Sequence, residues 1–318
     1  MKTTVIGCGR WGTFISWYLN HIGHDVTLYG RSNSANMKTL VNERKNEYLT
    51  LAENEKLTTD ISEVAQSDVI FISINSQGLR TLCKELNEYD LTGKYIVLCM
   101  KGIEISTGKR LSQVVKESVK SNVHICVWLG PGHVQEYIKG RPNCMVIDSE
   151  EQDVKKYVIK ELSGELIRFY CGTDMIGNEI GGATKNVIGL AAGMLDGLGL
   201  SSLKGALMAR GTYEVSRLIG ELGGNPVSAY GLCHLGDYEA TVFSEFSHNR
   251  RYGENFILGK ENVGLAEGVE TAKAIYLMAK KCGVDMPICN AVYSVLYENI
   301  SPKIKLNELF ERSIKNEF

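Results

Sequence analysis

Val5-Ile6-Gly7-Cys8-Gly9-Arg10-Trp11-Gly12 carries the end of an apolar run directly into a G-x-G-x-x-G pattern. Each glycine at this spacing has its own task. Gly7 makes a tight turn, Gly9 lets backbone approach a pyrophosphate, and Gly12 permits close packing of helix on strand. A helix beginning here also directs its N-terminal N–H groups and positive dipole end at the phosphates. The pattern alone is weak, but here it follows a strand-like run, precedes a helix-like one and begins a βαβ unit. It predicts a dinucleotide-binding domain.

The flanking pattern agrees. Residues 3–7, 25–29, 69–74, 95–100 and 123–129 are continuous apolar runs, as expected of parallel strands covered on both faces. Residues 11–22 and 77–86 read as crossover helices, and 143–147 and 166–170 as two further strands at the far end of the sheet. The fold class is α/β, with a doubly wound Rossmann-type domain over residues 1–173. From residue 174 the apolar positions recur at helical spacing (Val187, Leu190, Ala191, Met194, then Leu207, Val215, Leu218, Ile219). An all-helical C-terminal domain is therefore expected over 174–318, closing a cleft with the first because no Pro/Ser-rich linker separates them.

Composition excludes several classes. The 318 residues are 44% hydrophobic and 23% charged, with net charge −2, which is ordinary for a soluble globular protein. Nothing in that balance attracts nucleic acid or an anionic membrane, and no apolar run reaches the roughly 20 residues of a membrane span. The chain enters a strand at once and leaves no room for a signal peptide, so a cytoplasmic location is expected. Its nine cysteines include no Cys-x-x-Cys. They read mostly as small buried hydrophobes in a reducing compartment, with neither a disulfide framework nor a metal site.

The end of the second strand bears on cofactor choice. Tyr29-Gly30-Arg31-Ser32 offers no Asp or Glu for a ribose 2′-hydroxyl, whereas Arg31 suits a 2′-phosphate. This favours NADP, or use of both NADP and NAD; the plain alternative is a solvated arginine in a turn. At the reacting end, Lys101 terminates an apolar strand, where open sheets bind ligands. Gly181-Gly182-Ala183-Thr184-Lys185-Asn186 opens a Gly/Ala-rich helical stretch, and two glycines beside a lysine allow close approach of another domain. Asp237 lies in a turn, and Ser247-His248-Asn249-Arg250-Arg251 forms a polar, cationic cluster suited to a phosphorylated small molecule.

These segments together carry a resemblance. MKGIEISTG around Lys101, LGPGHVQE from Leu129, GGATKNVIGLAAGMLDGLG around Lys185, HLGDY, SHNRRYG and AEGVETAKA occur in order along the chain. In these motifs, and almost end to end, the sequence resembles NAD(P)-dependent glycerol-3-phosphate dehydrogenase of the bacterial type. The resemblance implies interconversion of dihydroxyacetone phosphate and sn-glycerol 3-phosphate for glycerolipid synthesis, by a homodimer. It implies that Lys185 is the general acid/base, that Lys101 lines both substrate and cofactor sites, and that Asp237 stands at the reacting end. Gly130, Ser247, His248 and Asn249 fall at substrate contacts, and Arg10, Trp11, Arg31, Val134, Leu265 and Glu267 at positions lining the cofactor. A catalytically silent nucleotide sensor on the same fold would not need Lys101, Lys185 and Asp237 together.

The chain departs from the family pattern in two places. Ser-Gly-Pro-Ser/Thr becomes Leu129-Gly130-Pro131-Gly132, followed by His133 and Gln135 in place of the usual types, so a hydroxyl is lost at Gly132. Ser-Arg-Asn becomes Ser247-His248-Asn249. Losing one charged hydrogen bond costs about 1.5–3 kcal/mol, roughly ten- to hundredfold in affinity. Either Arg250, Arg251 or His133 supplies the missing charge, or the substrate is a different small phosphorylated or phosphonylated ketone.

Overall fold

Lys2–Ile6 forms β1, and Arg10–His21 forms α1 directly behind it. The computed structural model describes residues 1–318 except 262, 263, 265, 315 and 318. Further strands are β2 (Asp25–Tyr29), β3 (Lys56–Thr58), β4 (Val69–Ile72), β5 (Tyr95–Leu98), β6 (His124–Leu129), β7 (Asn143–Asp148) and β8 (Ile167–Cys171). They make one eight-stranded sheet in the order β3-β2-β1-β4-β5-β6-β7-β8. Helices α2 (Ala35–Glu43), α3 (Leu79–Leu86), α4 (Leu111–Ser118), α5 (Val134–Ile138) and α6 (Gln152–Leu162) accompany it. Two apolar layers cover the sheet: Phe14, Leu28, Phe71 and Trp128 belong to one, and Ile6, Ile72, Leu98 and Val127 to the other.

Two features of the sheet differ from the sequence reading. β3 was not anticipated: Lys56-Leu57-Thr58 has no apolar run and pairs in parallel with β2 at the sheet edge. β7 runs antiparallel to β6, whereas every other neighbouring pair is parallel. In addition, β4 and β5 end two residues earlier than expected. Ser73, Ile74, Cys99 and Met100 lie past the strand ends at the carboxyl edge and line a cleft there.

The second half is helical: α7 (Met175–Gly197), α8 (Lys204–Glu221), α9 (His248–Leu258), α10 (Glu267–Cys282), α11 (Pro287–Tyr297) and α12 (Pro302–Phe310). Asp174 caps α7 by accepting from the Gly177 N–H at 3.0 Å, which satisfies a helix-end donor. α7 is buried nearly all round, which explains an apolar composition without a polar stripe. Its glycines allow α9 to cross at backbone contact: a Cβ on Gly193 would lie 1.8 Å from the Arg250 carbonyl oxygen. A Cβ on Gly253 would likewise lie 2.2 Å from that of Leu190. This crossing sets the start of α9 beside Lys185.

The two halves are joined by buried polar contacts near the start of α7. Glu179 accepts from the Ser112 N–H at 2.9 Å and the Ser112 hydroxyl at 2.6 Å, and pairs with Arg110. Asp148, on β7, accepts from the Asn178 amide at 2.8 Å and the Asp174 N–H at 3.1 Å. No described helix is long and apolar enough to cross a membrane.

Candidate active site

A cleft of about 750 Å³ runs from the carboxyl edge of the sheet to α7 and the start of α9. At one end lies the glycine turn. Gly7 has φ +115°, and a Cβ there would stand 2.1 Å from the Ser73 carbonyl oxygen, so both conformation and space require glycine. Gly12 faces inward, where a Cβ would meet the Gly7 oxygen at 1.9 Å. Gly9 differs, because nothing lies within 4 Å of where its Cβ would be. The backbone there is bare toward the cleft, and Gly9 as N-cap leaves the first N–H groups of α1 without a side-chain partner. Open space over an uncapped helix end fits a pyrophosphate. Arg10 and Trp11 line the cleft beside it.

Arg31 lies beyond the end of β2, largely exposed, with a guanidinium nitrogen 3.7 Å from a Glu85 carboxylate oxygen on α3. Both line the cleft. A cation of the kind that suits a 2′-phosphate and a carboxylate of the kind that suits ribose hydroxyls thus stand side by side, although the sequence had shown only the arginine.

The other end holds the charges. Lys101, just past β5, donates from Nζ to the Gly130 carbonyl at 2.8 Å and to Asp237 Oδ2 at 2.5 Å. Lys185, on α7, donates to Thr241 Oγ1 at 2.7 Å and lies 3.2 Å from the same Asp237 oxygen. Asp237 sits in a tight turn, Leu235–Asp237, and Thr241 in the π-helical turn Glu239–Phe243 that follows. One buried carboxylate therefore holds two ammonium groups. Burial lowers the pKa of Lys185 to about 8; Asp237 opposes the shift and Lys101 adds to it. Glu267, at the start of α10, is pushed up to about 7 by burial, against the pull of Lys101 and Lys185.

Val134, Gly130, Ser247, His248 and Asn249 also line the cleft. Ser247 is the N-cap of α9, accepting from the Arg250 N–H at 3.2 Å, and Asn249 Oδ1 accepts from the Gly268 N–H at 2.9 Å. Gly12 packs behind the turn rather than facing the cleft, and Leu265 lies outside the described residues. Thr241 and Glu85 escaped the sequence reading. Neither belongs to a legible motif, and only the fold brings them to Lys185 and Arg31.

The departures acquire physical form here. A Cβ at Gly132 would lie 2.7 Å from the Tyr137 ring, so the aromatic side chain fills the room a serine would need. His133 lines the cleft, but burial, with Lys185 and Arg10 nearby, lowers its pKa to about 4 and keeps the ring neutral. Arg250 is held by Asp196 at 2.7 Å, Glu254 at 3.1 Å and the Ser244 carbonyl at 3.1 Å. Of the three candidate stand-ins for the missing charge, His133 is uncharged and Arg250 is committed to this network.

Comparison with known proteins matches this geometry. Residues 2–155 match the family model for the N-terminus of NAD-dependent glycerol-3-phosphate dehydrogenase, and residues 174–307 the model for its C-terminus. The chain is 38% identical to a glycerol-3-phosphate dehydrogenase [NAD(P)+] of Exiguobacterium, over 99% of this chain and 97% of that one. It is 36% identical to the protein of that name from Clostridium botulinum, over 99% of each. Among solved structures, the glycerol-3-phosphate dehydrogenase of Coxiella burnetii superposes with TM-score 0.92 at 27% identity, covering 98% of this chain and 99% of that one.

Proposed function

The chain belongs to the NAD-dependent glycerol-3-phosphate dehydrogenase family, and from that premise we propose that it interconverts dihydroxyacetone phosphate and sn-glycerol 3-phosphate with NADPH or NADH. The observation that carries this reading is the pair of lysines on one buried aspartate, in the cleft that begins at the bare glycine turn.

When bound, the nicotinamide supplies or accepts hydride; positioning and proton movement fall to the protein. Gly9, Arg10 and the N-terminus of α1 hold the pyrophosphate, and Arg31 with Glu85 meets the adenosine end. In reduction, Lys185 Nζ gives its proton to the C2 oxygen as that oxygen gains charge. In oxidation, the neutral amine takes the proton back. A pKa near 8 keeps both forms accessible around neutrality, as a general acid/base requires. Asp237 and Thr241 orient the amine, and Lys101 presents a second cation to the substrate. Ser247, His248 and Asn249 receive the phosphate end. The proposed working units are residues 1–173 for cofactor and 174–318 for substrate, with the reaction at their junction.

A changed substrate is the second reading, favoured by Tyr137 occupying the place of the family hydroxyl and by histidine at 248. His248→Arg separates the two. It lowers the Michaelis constant for dihydroxyacetone phosphate if phosphate is read there, and raises it if the pocket serves another anion. Further parts of the proposal are a homodimer, a cytoplasmic location and supply of glycerol 3-phosphate to glycerolipid synthesis. Light scattering tests the first, with an expected mass of twice 35.2 kDa.

A further inference from the structure

The turn bearing Asp237 is anchored by a residue with no part in the mechanism above. His234, three positions before Asp237, is fully buried, and both its ring nitrogens are engaged. Nδ1 lies 2.9 Å from the Gly181 carbonyl oxygen, and Nε2 lies 2.7 Å from the Tyr238 hydroxyl. A carbonyl can only accept, so Nδ1 carries the proton. The neutral ring then accepts at Nε2 from Tyr238 O–H. The Tyr238 oxygen also lies 3.5 Å from the Thr212 hydroxyl, whose proton goes to the Met208 carbonyl at 2.8 Å. Burial supports the neutral form, lowering the His234 pKa to about 4.

These contacts link three elements. Gly181 lies on α7 one turn before Lys185, Thr212 lies on α8, and His234 and Tyr238 bracket Asp237. Space restricts the arrangement too: a Cβ on Gly181 would come within 3.0 Å of the His234 Cβ. The turn is thus pressed against the helix that carries Lys185 and bonded to it at that point.

We infer that His234 is a positioning residue for proton transfer: bonded to Gly181 and Tyr238, it fixes the Asp237 carboxylate 3.2 Å from Lys185 Nζ. The inference rests on the reading of Lys185 as the general acid/base. Asp237 sustains the ammonium form of Lys185 against burial and against Lys101. Among the described residues, the other ionisable groups that act on Lys185 are Glu267 at the start of α10, His133 before α5 and His234 itself. His133 and His234 are neutral, and Glu267 lies on a different element, so none of them replaces a carboxylate that has drifted. Loosening Asp237 therefore makes Lys185 lose its proton at lower pH.

The test is kcat against pH for reduction of dihydroxyacetone phosphate by the full-length protein carrying H234L, Y238F or H234N. H234L should move the alkaline limb downward by about half a pH unit or more and lower kcat at neutrality about tenfold. Its Michaelis constant for the nicotinamide should stay within about twofold of wild type. Y238F should move the limb the same way by less. H234N, which keeps a donor for the Gly181 carbonyl, should recover most of the shift. A limb unchanged in both H234L and Y238F overturns the inference even if kcat falls, because loss of packing alone does not retitrate Lys185. Should H234L fail to fold, an unchanged limb in Y238F overturns it. Wild-type turnover by Lys185→Ala would instead contradict the acid/base reading, so the two failures are distinct.

Discussion

Lys185 sets the pH behaviour of the proposed reaction. In that proposal its ammonium form donates the proton in reduction, so kcat should fall as pH rises through about 8. Oxidation needs the neutral amine, and its rate should rise through the same range. Profiles in both directions check this, and limbs of the same sense in both would contradict it. Gly132 makes a second prediction at this scale. Restoring the family hydroxyl with Gly132→Ser should impair the protein, because φ is +157° and the new Cβ would lie 2.7 Å from the Tyr137 ring. Tyr137 is itself 1% exposed and cannot swing aside, so overpacking should cost about 1–3 kcal/mol, read in a denaturant melt. Candidate positions were legible where a residue type is rare in its setting. A lysine after two glycines, or one ending an apolar strand, attracts notice in a sequence. Thr241 does not: its hydroxyl reaches Lys185 only because a π-helical turn follows Asp237.

At the scale of elements, α7 both carries Lys185 and joins the halves. Glu179 is its anchor against Ser112 and Arg110, and Glu179→Ala would strand the Arg110 guanidinium, which is 11% exposed. Breaking such a pair typically costs about 3–5 kcal/mol, so the variant should melt well below wild type in a thermal scan. Beyond the end of β2, Arg31→Glu should weaken NADPH far more than NADH, since it sets a second carboxylate beside Glu85. Fluorescence titration with both nucleotides checks this; equal losses would contradict it. The apolar runs disclosed most strands because a parallel strand covered on both faces has no polar alternation. They could not disclose the direction of β7, since an apolar run reads the same either way. They also could not disclose β3, whose three residues are held by ladder bonds to β2 rather than by burial.

At the scale of the molecule, the cleft explains how a cofactor signature and the proposed acid/base lysine can lie more than half the chain apart. The sheet's carboxyl edge supplies the glycine turn, Lys101 and Gly130, whereas α7, the Asp237 turn and α9 supply the remaining groups. Sequence order indicated both halves through the change from apolar runs to helical spacing near residue 174. The contacts between them, such as Glu179 with Ser112 and Asp148 with Asn178, depend on packing and left no sequence pattern. The central claim is that Lys185 transfers a proton to dihydroxyacetone phosphate within this cleft. It is tested most directly by the loss of NADPH and NADH absorbance as that ketone is titrated, in wild type and Lys185→Ala. Saturable turnover is expected in the wild type, reduced at least about a hundredfold in the variant while nucleotide still binds. Tight nucleotide binding with no turnover in the wild type, or unimpaired turnover by the variant, would contradict it.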